Sequence, residues 1–368
     1  MLAFLNAPFI DFNGYVGSSP AVEIFGFGIT YYALIIVSGM VLALTIFSHL
    51  LKKFGLNPDD SLDYAIWVLP MAVLGARLYF FVFPYSEVLS DWSTFWDFRD
   101  GGLAIYGGVI AGYITVHIVA HFKMQNFVRI TDYIAPGLLL AQAMGRWGNF
   151  INQEAYGNLI TDPAWQWFPA AVKIGGEFYQ ATFFYESFFT LIGFIITLSL
   201  ITKWKNYKRG FNLAFYGVYY GIVRLFVEGL RTDSLFLWIR WGGTAFNTGI
   251  KISQLVSWLA IGMGIVRFIL IYTGWDKKFD AWYYKVIGTK KFIDKQVEAT
   301  NQNAQKLAAE AQSIKNQVGE KDRLYIEALK RAQYALFNAE DIKKRREEFY
   351  KDFSKTDTEK NQEIKKEI

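Results

Sequence analysis

Four arginines lie inside apolar stretches of this 368-residue chain. Arg267, in the last stretch, is expected to extend to the cytoplasm, and the other three are candidates for a binding site. An Arg near the middle of a membrane-spanning helix costs about 2.5–3.5 kcal/mol, so it is retained where it faces a bundle interior and finds a partner. The three candidates are Arg77, Arg146 and Arg224. Grouped guanidiniums would bind an anion, and their planar fork of donors suits a phosphodiester. A structural alternative applies to single residues: Arg77 pairs with an acidic group of the next loop, or Arg146 extends to the membrane interface.

Arg224 belongs to a row of regularly spaced polar residues. Tyr220, Arg224, Glu228 and Arg231 follow one another at spacings of four, four and three residues. On a helix this spacing places them on one face. Such an Arg–Glu ladder can be purely structural or can bind a phosphate, and the two interpretations are compatible.

Another polar group follows the second arginine, in the string GRWGNFINQEAYG of residues 145–157. Asn149, Asn152 and Glu154 fall where the chain leaves the membrane, and the glycines allow close approach of the backbone. A dense polar cluster at the mouth of a membrane helix predicts a functional site.

A tyrosine stands between glycines in the string GGLAIYGGVIAG of residues 101–112. Gly108 and Gly112 form a small-xxx-small pair, which is typical of close helix packing. The glycines alternatively leave the hydroxyl of Tyr106 reachable.

The candidate residues above lie in or beside seven apolar runs of about 20 residues. A helix of this length crosses a bilayer core of roughly 30 Å. Lys and Arg concentrate in alternate loops between the runs, which favours an outer N-terminus and an inner C-terminus. We therefore predict an all-α polytopic membrane protein with seven transmembrane helices, in which the three arginines lie at comparable depth on the extracytoplasmic side. The approximate bounds are 29–51, 62–84, 102–122, 131–149, 183–202, 211–230 and 252–273.

Composition divides the chain into parts. Residues 1–28 are expected to form an extracytoplasmic lead-in, and residues 29–275 the seven-helix catalytic domain. Within that domain, residues 150–182 are expected to form a small structured extracytoplasmic cap. Residues 276–368 form a charged cytoplasmic tail, helical or partly disordered. A helix is expected there because the apolar residues Leu324, Leu329, Ala332 and Leu336 recur at roughly helical spacing.

Charge placement excludes several classes of protein. The tail holds 21 of the 38 Lys and Arg residues and 17 of the 33 Asp and Glu residues. The remainder of the chain is too poor in charge to cover a soluble globule, and it has no basic stripe for nucleic acid. The chain has no cysteine, so thiol chemistry requires a thiol of the substrate. No metal or other cofactor is expected.

These strings, in this order, resemble the motifs of the bacterial phosphatidylglycerol–prolipoprotein diacylglyceryl transferases. The string at residues 145–157 is similar to the family signature, and the resemblance covers about residues 25–275 but not the tail. The other similar strings are Tyr31-Tyr32, residues 75–80, residues 101–108, residues 184–187 and residues 220–231.

The resemblance implies a reaction at the outer face of the bacterial cell membrane. A diacylglyceryl group would pass from phosphatidylglycerol to the lipobox cysteine of a prolipoprotein, releasing sn-glycerol-1-phosphate. By motif position, Arg146 and Arg224 look like the family's two essential arginines. We predict catalytic roles for Arg146, Arg224, Tyr106 and Glu154, and substrate-binding roles for Tyr32, Arg77, Asn149, Asn152, Tyr220, Glu228 and Arg231.

The proton acceptor for the thiol stays open. His49, His117 and His121 fall in inner halves or at cytoplasmic ends of helices, which excludes a histidine base. Tyr106 stands where many family members have His, but a phenol with a pKa near 10 is a poor base. Glu154 and water are the alternatives, and we expect Tyr106 to orient the thiol or the lipid phosphate.

The rival class of function is a phospholipid transporter or flippase that binds anionic headgroups without breaking a bond. It predicts polar residues through the inner halves of the helices, which are apolar here. The expected partners are phosphatidylglycerol, the prolipoprotein signal peptide and the lipid bilayer, with no nucleic acid.

Overall fold

The computed structural model describes residues 20–24, 27–82, 92–97, 102–232, 234, 236–241, 244–320 and 322–354. Within them the chain forms ten helices of 11 residues or more. The predicted lead-in of residues 1–28 lies largely outside this set. The helices are α1 (Tyr31–Lys53), α2 (Asp60–Val82), α3 (Ile105–Phe122), α4 (Phe127–Ile151), α5 (Thr182–Lys203), α6 (Phe211–Leu230), α7 (Ile252–Thr273), α8 (Asp276–Val286), α9 (Thr289–Val318) and α10 (Arg323–Ser354).

A helix lies at each of the seven predicted apolar runs. Six of them (α1, α2, α3, α5, α6 and α7) are long and apolar enough to cross a membrane. Helix α4, which carries Asp132, Gln142 and Arg146 among its apolar residues, is outside this group. The protein is thus a helical, polytopic membrane protein. The count of seven spans and the orientation of the termini remain predictions.

Three antiparallel hairpins, which the apolar pattern did not predict individually, accompany the helices. They are β1 (Pro20–Ile24) with β2 (Phe27–Thr30), β3 (Ala171–Ile174) with β4 (Glu177–Gln180), and β5 (Phe236–Trp241) with β6 (Thr244–Lys251). The β3–β4 hairpin lies in the segment expected to form a cap. Its two-residue turn, Gly175-Gly176, has φ values of +59° and +93°, which suit glycine.

Small residues set the closest contacts between helices. A Cβ on Gly75 of α2 would lie 2.2 Å from the Cβ of Ala111 of α3, and one on Gly107 would lie 2.2 Å from the carbonyl oxygen of Gly75. A Cβ on Gly108 would lie 3.2 Å from a carbonyl oxygen of α2. The predicted close packing of α3 is therefore present, but the tightest contact falls one residue earlier than the pair Gly108 and Gly112.

Large apolar side chains remain on the outer faces of the long helices. Ile66 is 64% exposed, Met263 68% and Phe226 75%. Exposed apolar surface of this extent is typical of a face that contacts lipid.

The chain divides into two compact units. The first contains Met1–Val116 and Thr131–Ile271, and the second contains His117–Ile130 and Tyr272–Ile368.

In the second unit, α9 and α10 pack through a seam of small side chains. Ala304 of α9 meets Ala335 and Ala339 of α10. Of the residues whose spacing predicted a helical face, Ala332 is buried at 3% exposure, whereas Leu324 is 61% exposed and Leu336 47%. The buried stripe of α10 is made of alanines because alanine lets two helices approach closely.

Candidate active site

A buried carboxylate joins two of the predicted arginines. Glu186, in the first turns of α5, has a side chain that is only 1% exposed. Its Oε1 lies 2.9 Å from Nη2 of Arg146, and its Oε2 lies 2.9 Å from Nη1 of Arg224. The arginine side chains are 20% and 15% exposed. Two guanidiniums therefore share one buried counter-ion while each keeps some accessible surface.

Helix α6 extends this cluster along one face, as the spacing predicted. Tyr220 donates a hydrogen bond to Oε1 of Glu186 at 3.0 Å. Arg224 also binds Glu228, with 2.7 Å between Nη2 and Oε2, and Arg231 lies 3.9 Å from the same oxygen. The Arg–Glu ladder continues from the buried carboxylate to the end of the helix.

The end of α4 contributes a chain of amides. Nη1 of Arg146 donates to Oδ1 of Asn149 at 3.0 Å. Nδ2 of Asn149 donates in turn to Oε1 of Glu154 at 2.7 Å, and Asn152 donates to that oxygen at 3.3 Å. Glu154 is exposed. An accessible carboxylate is thus connected through one amide to a cluster arginine.

Two tyrosines border the arginines. The ring of Tyr32 packs so closely on Gly148 that a Cβ there would lie 2.7 Å from it. The Tyr32 hydroxyl lies within electrostatic range of Arg146 and Glu154.

Tyr106 borders the cluster from α3. Its hydroxyl faces Ser253 and lies within electrostatic range of Arg224 and Glu228. The structure therefore places Tyr106 beside the cluster rather than within its hydrogen-bond network.

Antiparallel packing explains why these residues meet. The carboxyl-terminal ends of α4 and α6 lie beside the amino-terminal end of α5. Ser187 fastens α5 to α4, since its Oγ accepts from Nε1 of Trp147 at 3.1 Å and donates to the Ala143 carbonyl at 2.9 Å. A backbone bridge between Gly157 and Arg231 joins the chain after α4 to the end of α6.

The charges of the cluster favour an anion. Lys251 adds a further cation, donating from Nζ to the carbonyl of Glu228 at 2.9 Å. With all groups ionised, four cations face three carboxylates, a surplus of one positive charge that would match a phosphodiester. The cations are Arg146, Arg224, Arg231 and Lys251, and the carboxylates are Glu154, Glu186 and Glu228. In the described part of the chain, no group of three His, Asp or Glu residues could hold a metal ion.

Arg77 does not join the cluster. Its side chain is buried, and its donors bind the carbonyls of Phe95 at 2.8 Å and of Thr94 and Asp97 at 2.6 Å each. A fourth bond reaches the carbonyl of Gly102 at 3.2 Å. These contacts show that Arg77 fastens the segment before α3, while its substrate-binding role stays a prediction.

Glu186 and Lys251 are cluster residues that the sequence prediction missed, and Glu186 is the central one. The argument used for the arginines applies to it equally, because a carboxylate inside the apolar run FFYESFF also requires a buried partner. A search for every ionisable residue in the apolar runs, not for arginine alone, would have found it.

Comparisons with known proteins cover most of the chain. A family model described as prolipoprotein diacylglyceryl transferase matches residues 20–270. A phosphatidylglycerol–prolipoprotein diacylglyceryl transferase of Streptococcus uberis is 41% identical over 257 residues, which are 68% of this chain and 93% of that protein. The protein of the same name in Streptococcus pneumoniae strain Hungary19A-6 is 39% identical over 259 residues, which are 68% of this chain and 92% of that protein.

Proposed function

The chain belongs to the prolipoprotein diacylglyceryl transferase family, and on that premise we propose that the Arg146–Glu186–Arg224 cluster is its active site. The protein is a multi-pass enzyme of the bacterial cell membrane that transfers a diacylglyceryl group from phosphatidylglycerol to a prolipoprotein. The observation that carries the proposal for the site is the pair of partly accessible guanidiniums held on one buried carboxylate.

The first task of the site is to bind the lipid phosphate. The phosphodiester of phosphatidylglycerol carries one negative charge, which the surplus charge of the cluster complements. Glu186 keeps the two guanidiniums side by side, so their remaining donors can address one phosphate together. Glu228 holds Arg224 in place along α6 and, with Tyr220 and Arg231, completes the substrate-binding face.

The second task is to stabilise the leaving group. The cysteine sulfur of the prolipoprotein attacks a glycerol carbon, a C–S bond forms, and the bond from that carbon to the phosphate oxygen breaks. The departing glycerol phosphate gains negative charge as this bond breaks. Arg146 and Arg224 therefore interact more strongly with the transition state than with the bound lipid, which is the condition for catalysis.

The third task is to accept the thiol proton. We assign this role to Glu154. Its carboxylate is exposed, and one of its oxygens, Oε1, is fixed by hydrogen bonds from Asn149 and Asn152. Its Oε2 has no hydrogen-bond partner among the described residues. The positive field of Arg146 also favours the thiolate, since nearby cations lower a cysteine pKa.

Tyr106 has a positioning role in this scheme. Its hydroxyl lies near Arg224 but outside the Arg–Glu network, so it is placed to orient the thiol or the phosphate rather than to accept the proton. Tyr32 has a similar role near Arg146 and Glu154.

The active site faces the extracytoplasmic side in this proposal. The cluster lies at the ends of α4 and α6 that are opposite their Lys- and Arg-containing loops, such as residues 203–209 before α6. Loops rich in Lys and Arg stay in the cytoplasm.

The proposal is tested by incubating the purified protein with phosphatidylglycerol and a lipobox peptide and weighing the peptide. We expect a mass gain of one diacylglyceryl group that disappears when the peptide cysteine is replaced by serine. Movement of phosphatidylglycerol between leaflets without any mass gain would favour the transporter class instead.

A further inference from the structure

Helix α8, in the part of the chain beyond the family match, carries an exposed apolar stripe. Trp275, Phe279, Trp282 and Val286 recur at spacings of four, three and four residues, so they share one face of the helix. Their exposed fractions are 60%, 46%, 58% and 64%. Large apolar side chains exposed together mark an interaction surface. We refer to these four residues as the apolar face of α8.

The opposite side of α8 is fixed within its own compact unit. Tyr284 is 2% exposed, accepts a hydrogen bond from the backbone N–H of Phe127 at 2.9 Å and packs its ring 5.2 Å from that of Phe349. Tyr283 shares a hydrogen bond of 3.0 Å with the His117 ring. Turning the apolar face inward would break these contacts, so the face is held outward.

Two observations point to the membrane surface as the partner of this face: the lysines beside it and its position directly after α7. The exposed residues Lys278 and Lys285 flank the stripe on one side, and Nζ of Lys278 lies 5.2 Å from the Trp275 ring. Helix α8 begins three residues after Thr273, the last residue of α7, and α7 is long and apolar enough to span a membrane. Tryptophan is enriched at the boundary where such helices end, and lysines there reach anionic headgroups.

We propose that α8 is an interfacial helix whose apolar face inserts between the headgroups and acyl chains of the bilayer. Lys278 and Lys285 bind anionic headgroups at its edge. A helix with aromatic residues on one face and lysines beside them has the composition that binds membrane surfaces. The proposal concerns the tail alone and does not depend on the assignment of the active site.

The absence of cysteine from the chain makes a direct test possible. Two full-length single-cysteine variants, Val286→Cys on the apolar face and Asn303→Cys on an exposed position of α9, are labelled with a nitroxide and reconstituted into vesicles of phosphatidylcholine and phosphatidylserine. Paramagnetic resonance then measures collisions of each label with oxygen, which concentrates in lipid, and with a water-soluble nickel chelate.

We expect the ratio of oxygen to nickel collisions to be several-fold higher at position 286 than at position 303. Equal ratios would show that the apolar face lies in water and would overturn the proposal. An immobilised label at position 286 that meets neither reagent would show that protein covers the face, which also overturns it.

The role of the lysines has its own test. In the Val286→Cys background, replacing Lys278 and Lys285 by Gln should abolish the increase in the collision ratio that phosphatidylserine causes over phosphatidylcholine alone. An undiminished increase would refute the headgroup contact. Phosphatidylserine is used because it supplies a negative headgroup other than that of the transferase substrate.

Discussion

Two clusters of buried polar groups lie at opposite ends of α4 and α6. At one end Glu186 binds two arginine side chains that remain partly accessible. At the other end Asp132, which is 1% exposed, accepts from the backbone N–H groups of Gly210 at 2.6 Å and Leu213 at 3.0 Å. Asp132 therefore caps the first turn of α6 with a side chain from α4.

The difference lies in what each carboxylate binds. The carboxylate of Asp132 binds backbone donors at the start of α6 and the Tyr207 hydroxyl, all of them groups that join parts of the fold, which gives it a structural role. Glu186 arranges side-chain cations that can also reach a ligand. Arg77 resembles the first type, because it donates four hydrogen bonds to backbone carbonyls of the described residues. A buried charge in a helix bundle is therefore evidence of function only when its partners retain access to substrate.

The largest effect should follow from Arg224→Lys. Lysine keeps the charge but cannot span Glu186 and Glu228 with a planar fork, so kcat should fall by about 10²–10³-fold. The peptide mass-shift assay measures the rate. Arg267→Lys is the matched control at the other end of the bundle, where the guanidinium packs over Gly210, and it should keep kcat within about threefold. Full activity of Arg224→Lys would contradict the proposed active site.

A smaller loss is expected for Glu186→Gln, which keeps the shape of the side chain and removes its charge. Without the shared counter-ion the two guanidiniums lose their fixed spacing, so kcat should fall by about 10²-fold. Initial rates over a series of phosphatidylglycerol concentrations separate kcat from KM. The control is Glu177→Gln on the exposed β3–β4 hairpin, which should behave as the parent enzyme. If the two variants have the same kcat, Glu186 does not position the arginines.

Arg77→Lys should reduce stability more than catalysis. Lysine cannot reproduce the bonds to the carbonyls of the segment before α3, and the loss should be about 2 kcal/mol. Thermal unfolding in detergent should therefore shift downward, while kcat per folded protein stays within about twofold. A large loss of kcat with an unchanged unfolding temperature would instead support the predicted substrate-binding role of Arg77.

The smallest effect should come from Asp132→Asn. One amide oxygen can still accept a hydrogen bond, but the charged cap of α6 is lost, at a cost of about 1 kcal/mol. We expect a small fall in unfolding temperature and an unchanged kcat. A loss of activity similar to that of Glu186→Gln would remove the distinction between the two ends of the bundle.

The helices and much of the Arg146–Glu186–Arg224 cluster could be predicted from the sequence. Both follow from the free-energy cost of placing polar groups in lipid, which favours apolar helices and makes each charged residue within them conspicuous. Arg146 and Arg224 stand out in apolar runs, and the spacing from Tyr220 to Arg231 predicts one helical face. Glu186 could have been predicted by the same reasoning.

Other features depend on contacts that no local pattern encodes. Arg77 donates hydrogen bonds to the carbonyls of Thr94, Phe95 and Asp97, and every residue type carries such a carbonyl. The seam between α9 and α10 uses alanines such as Ala335 because the helices approach closely, whereas the predicted periodic face combined Ala332, which is buried, with leucines, two of which are exposed. The hairpins are short segments whose pairing depends on turns more than on apolar alternation.

The most direct test of the active-site proposal is a structure of the active enzyme in bilayer discs containing phosphatidylglycerol. We predict a lipid phosphate whose oxygens lie about 2.7–2.9 Å from guanidinium nitrogens of both Arg146 and Arg224. A phosphate bound elsewhere, with both guanidiniums still occupied only by protein groups, would contradict the account.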